Sequence, residues 1–105
     1  MKFSNLPCEV PSYSDIKIGD IFVKIGFNDK EKEHLHFNKV LYKNPRIAEV
    51  EYKTIGCNMN NKYECHIGEN LIATWQWFEY HSIHVRWLKS GAAAILFADK
   101  GIKLI

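Results

Sequence analysis

Five histidines and three cysteines supply the side chains in this sequence best suited to chemistry. His34 and His36 are two apart, so on a strand both would face one side, as a pair of metal ligands does. His81 and His84, Cys57, and the adjacent Cys65-His66 are further candidates. No pair among them has zinc-finger spacing, and Cys65 and His66 would point to opposite faces of a strand. Nucleophilic catalysis needs a Cys or Ser beside a His that a third group orients. Cys57 or Cys65 with His66 meets only the composition half of that requirement, and Ser90-Gly91 lies outside any GxSxG. The sequence has no phosphate-cradling glycine loop, no paired-carboxylate signature and no HExxH. The plainer reading, partly exposed histidines and buried thiols, is therefore preferred: a non-enzymatic chain with no metal site and no cofactor.

The second kind of chemistry on offer is recognition by rings. The stretch 71–88, LIATWQWFEYHSIHVRWL, holds all three tryptophans (Trp75, Trp77, Trp87) together with Phe78 and Tyr80. Such rings bury about 150–250 Å² each, so the core or a binding face lies wherever they point. If Trp75 and Trp77 share the inward face of a strand, Gln76 and Phe78 point outward together and Tyr80 joins them. An exposed Phe-Tyr patch with Arg86, flanked by Trp87 and Lys89, has the composition of an interface hot spot. The alternative is that the same rings stack on bases, with Arg86, Lys89 and Lys100 on phosphates. A formal charge of +2 weighs against that, because it leaves phosphate binding weak at physiological salt. Residues 71–105 carry four Lys/Arg against two Asp/Glu, well short of a basic patch. A protein partner is the expectation, nucleic acid the alternative, and a homodimer contact stays open.

At 105 residues the chain is one domain, with 47% hydrophobic and 25% charged residues, which are globular values. It has no apolar run of signal-peptide or transmembrane length, so no membrane is expected. Three cysteines form an odd set without a CxxC, which suits free thiols in a reducing cytoplasm. Asn, Lys and Ile make up 32 of the 105 residues, a bias typical of AT-rich coding sequence in low-GC bacteria or their mobile elements.

Residues 1–15, with Pro7 and Pro11, read as an extended arm leading into a single domain over 16–105. In IKIGDIFVKIG, Ile16 and Ile18 alternate, Gly19-Asp20 makes a turn or bulge, and Ile21, Val23 and Ile25 share one strand face. Phe22 falls off that face, so the strand is covered on both sides. The segment 28–44 reads as a charged loop at 28–33 followed by a strand, with a helix capped by Asn28 or Asp29 as the alternative. In 46–56, Ala48, Val50 and Tyr52 alternate with Glu49, Glu51 and Lys53, a strand with one wet face. A polar turn at 58–62 precedes a returning strand with Tyr63, Cys65 and Ile67. The aromatic stretch reads as strand 72–77, helical turn 78–81 and strand 83–88, because its residues favour strands. The alternative is one helix over 69–89 with Leu71, Trp75, Phe78, Ser82 and Val85 inward. The end, 94–105, reads as a hairpin around Asp99-Lys100-Gly101.

IKIGDIF, HFNKVLYKN, RIAEVEYKTIG, KYECHIG and the aromatic close together resemble a small SH3-like β-barrel of the kind found in short bacterial and phage accessory proteins. The resemblance covers roughly 16–82 and rests on pattern without a diagnostic motif. The expected fold is thus mainly β, an SH3-like barrel with an added C-terminal β-hairpin, or α+β if 28–44 or 69–89 is helical. What the resemblance implies is a binding scaffold, since such barrels recognise peptides, proteins or nucleic acids through loops and an aromatic groove; the superfold fixes no function. The functional expectation is a phage or mobile-element protein that docks on a host complex and inhibits or modulates it.

Overall fold

The computed structural model describes residues 10–27, 33–57 and 68–88. Among these residues the fold is mainly β, one antiparallel five-stranded sheet with a single short α-helix. Its strands are β1 (Ile21–Phe27), β2 (Glu33–Asn44), β3 (Glu49–Cys57), β4 (Asn70–Thr74) and β5 (Val85–Leu88), with helix α1 (Trp75–Tyr80) between the last two. The order across the sheet is β4-β3-β2-β1-β5, so the first four strands form a meander and β5 returns to pair with β1. Among the described residues the sheet is open, with β4 and β5 as its edges.

The alternating pattern in β1 has a direct consequence. Ile21, Val23 and Ile25 join Leu35, Phe37, Ile55 and Leu88 in a buried cluster on one side of the sheet. Phe22 joins Ile16, Val40, Val50, Tyr52, Trp75, Phe78 and Val85 on the other side, the one α1 covers. A strand apolar at every position but Lys24 and Gly26 is one with a core on each face. The β2–β3 ladder shifts twice, between Phe37 and Asn38 and between Val40 and Tyr42. At the first shift Asn38 and Thr54 are buried; Thr54 Oγ1 donates to Asn38 Oδ1 at 2.9 Å, and Asn38 Nδ2 donates to His36 O at 2.9 Å. These bonds satisfy polar groups that burial would otherwise penalise.

Several expectations need correction. Residues 33–44 are strand, so no helix occupies them. A helix over 69–89 is also excluded: only Trp75–Tyr80 is α-helical, followed by a 3₁₀ turn at Ser82–His84. Thr74 starts α1 as its N-cap, accepting from Trp77 N at 3.4 Å, and this displaces the expected strand at 72–77. Trp75 and Phe78, three apart, then form the inward stripe. Ile16 is buried and Ile18 is 65% exposed, because a turn with Gly19 at φ 96° separates them from β1. Within the expected N-terminal arm, Tyr13–Asp15 is a 3₁₀ turn, and Val10 and Tyr13 pack on the helix-side core. Lys43 Nζ holds this segment by donating to Tyr13 O at 2.7 Å and Ile16 O at 2.9 Å. The expected strand with Tyr63, Cys65 and Ile67, and the hairpin at 94–105, lie outside the described residues.

Candidate docking surface around the helical turn

The site is built outward from Phe22. Its ring stacks on Trp87 at 4.8 Å and 10°, and meets Tyr52 and Phe78 edge-on at 5.0 and 5.2 Å. Trp75 closes the cluster against Phe78 (5.1 Å) and Trp87 (5.9 Å). Edge-to-face and offset contacts at these distances are what the ring quadrupole favours. Helix α1 is held over this cluster by Trp75 N, which donates to Ala48 O at 2.7 Å.

Outside the cluster lies a two-ring clamp. Trp77 rests edge-on against Phe78 at 5.2 Å, and Lys24 Nζ sits 4.6 Å from the ring centroids of both Trp77 and Tyr52. The same ammonium donates to Tyr52 Oη. Burial lowers the Lys24 pKa below the usual lysine range and pushes the Tyr52 hydroxyl up to about 12. The rings replace part of the hydration that Lys24 loses.

Beside the clamp is an open groove of about 290 Å³ lined by Thr74, Gln76, Trp77, Tyr80 and His81. The His81 ring lies 4.7 Å from Trp77 and 5.0 Å from Tyr80. Tyr80 is 83% exposed, the most exposed of the large hydrophobic residues described.

The sequence-expected residues divide sharply. Gln76 and Tyr80 are exposed and lie together at the groove. Phe78 is fully buried, because a helix rather than a strand carries it, and it cannot offer its face to a partner. Trp87 is half-buried in the aromatic cluster. Arg86 is 3% exposed and alternates with Trp87 on β5, so it lies on the opposite side of the sheet. Its Nη1 donates to the carbonyls of Ser82 (3.3 Å), Ile83 (2.8 Å) and Val85 (2.9 Å), a structural use of the guanidinium that ties the 3₁₀ turn to β5. Lys89 lies outside the described residues. His34 and His36 do share a strand face, yet among the described residues no group of three or more His, Cys, Asp or Glu is placed to hold a metal ion. Among them, too, no helix is long and apolar enough to cross a membrane.

Sequence reasoning missed Lys24, Tyr52 and Thr74 as parts of this surface. The signal for Lys24 was there: a lysine next to Phe22 on a strand covered on both sides needs partners on the covered face.

No protein-family model, curated protein or solved structure matches this chain.

Proposed function

We propose that this chain is a non-enzymatic protein-binding module whose docking surface is the groove of Tyr80, Trp77, Gln76 and His81 at α1. The observation that carries the reading is the 83% exposure of Tyr80 at the lip of that groove, on a helix whose Trp75 and Phe78 are buried. Tyrosine and tryptophan dominate interface hot spots because they present large rigid surfaces with few rotamers to freeze. The partner chemistry is an apolar or aromatic side chain on a protein, seated against Tyr80 and Trp77. The structure supports a mainly β scaffold with one open antiparallel sheet among the described residues, and the SH3-like barrel, in which ligands are held on an aromatic groove, belongs to this proposal alone. A host or phage complex modulated by this docking is the setting that the compositional bias favours.

The nucleic-acid alternative uses the same rings for base stacking. Burial of Arg86 removes the cation expected to reach phosphates, which favours protein over nucleic acid. The deciding experiment is capture from lysate by tagged wild type and by Tyr80→Ala, each with and without nuclease and at low and high salt. The reading expects one stoichiometric protein that survives nuclease and salt and is lost with Tyr80→Ala. Recovery of nucleic acid that falls steeply with salt overturns it. Capture unaffected by Tyr80→Ala removes the groove as the site.

A further inference from the structure

Strand β4 has β3 on one side and, among the described residues, no strand on the other. Asn70, Leu71, Ile72 and Thr74 are all exposed, with Ile72 at 64%. Edge strands in folded proteins usually carry a guard against pairing: a charge, a proline, a bulge or a covering element. The five residues NLIAT contain neither charge nor proline, and they pair with β3 in unbroken register from Glu49↔Thr74 to Lys53↔Asn70.

We propose that β4 is a homotypic docking edge, pairing antiparallel with β4 of a second copy of this chain about a two-fold axis at Ile72. The two five-stranded sheets then join into one. A second copy fits because the strand is complementary to itself in that register. Ile72 faces Ile72 of the second copy, Leu71 faces its Ala73, and Asn70 faces its Thr74. Opposed residues in an antiparallel pair share a face, so apolar meets apolar and polar meets polar along the whole ladder. No like charges oppose within it.

The charges one strand inward agree. Lys53 shares a row with Asn70, and Glu49 shares a row with Thr74. Pairing Asn70 with Thr74 of the second copy therefore puts Lys53 of one copy in line with Glu49 of the other. The separation is three strand spacings, about 14 Å. Symmetry makes this attraction twice, whereas Glu51 meets its own copy once at the same separation. All three terms are screened at physiological salt, so they steer more than they hold. A ladder of five residues falls well short of the roughly 800 Å² per partner of a standard interface, so the dimer is weak and forms at high protein concentration. The ladder and the groove at Tyr80 share Thr74, whereas Ile72, at the two-fold, lies outside the groove.

The test is sedimentation velocity of the whole chain from tens of micromolar to about one millimolar, the range a small interface calls for. Wild type should show a concentration-dependent monomer–dimer equilibrium. Ile72→Lys and Ile72→Glu should each be monomeric, because the new charge meets itself across the two-fold. An equimolar mixture of the two variants should dimerise again, because opposite charges then face each other. Ile72 is exposed, so circular dichroism and thermal melting of both variants should match wild type. A wild type that stays monomeric overturns the proposal, as does a dimer that either variant leaves intact. A mixture that fails to dimerise where wild type does overturns the register.

Discussion

Tyr80 and Phe78 are two residues apart on one helical turn and have opposite surroundings, solvent for the first and core for the second. Phe78 is fully buried among Phe22, Trp75 and Trp77, so Phe78→Ala should cost about 3–5 kcal/mol in urea unfolding. Tyr80→Ala should change stability by less than about 0.5 kcal/mol while abolishing partner capture. A pair of equal effects on stability would contradict this division. The Lys24–Tyr52 contact makes a different prediction, readable in pH. Tyr52 keeps its proton to about 12 in the folded state against 10.0 as the reference, so its stabilisation is complete below pH 10 and is lost as pH rises toward 12. Lys24 works with the opposite sign: its folded pKa lies below 10.5, so the unfolded chain binds the extra proton and stability rises with pH through that window. Chemical denaturation from pH 8 to 12 should therefore show wild type losing its advantage over Tyr52→Phe only above pH 10. An advantage that is constant up to pH 12 would mean that Tyr52 titrates as an ordinary tyrosine.

At the scale of elements, the junction of β4 and α1 decides where the aromatic residues point. Thr74 ends β4 and caps α1, and its 3.4 Å bond to Trp77 N is long, so Thr74→Ala should cost about 0.5 kcal/mol, the low end for a cap. Gly68 enters β4 at φ 91° with open space where a Cβ would be, and its N donates to Thr54 O at 2.8 Å. Gly68→Ala should thus cost about 1–2 kcal/mol from backbone strain alone, measurable as a lowered urea midpoint at unchanged slope. The same junction explains what the sequence did and did not disclose. The alternation in Ile21–Phe27 and in Val50 and Tyr52 is a period-two pattern, which reads directly, and Phe22 between Ile21 and Val23 announced a core on both faces. The order strand, helical turn, strand across 71–88 was also legible. Its boundaries were not, because Trp, Phe and Tyr favour strands intrinsically and only the Thr74 cap and the Trp75–Phe78 spacing argue otherwise. Arg86 was unreadable for a further reason: the three carbonyls that hold it come together only after the 3₁₀ turn has formed. The Lys24 clamp likewise joins β1, β3 and α1, which no local pattern connects.

At the scale of the molecule, one sheet separates two apolar clusters, and β1 feeds both. Phe22→Ala removes the ring that Tyr52, Phe78 and Trp87 all contact, at a cost of about 3–5 kcal/mol out of the 5–15 that such a domain possesses. The return of β5 to β1 carries one more consequence. Ile21, where the chain enters β1, is the register partner of Leu88, where it leaves β5. A pull that draws those two points apart loads the β1–β5 ladder one hydrogen-bonded pair at a time, as a zipper is opened, and never shears several rungs together. Pulled at Ile21 and Leu88, the sheet should therefore yield at low force, detaching β5 first and leaving the meander of β1 to β4 paired behind it.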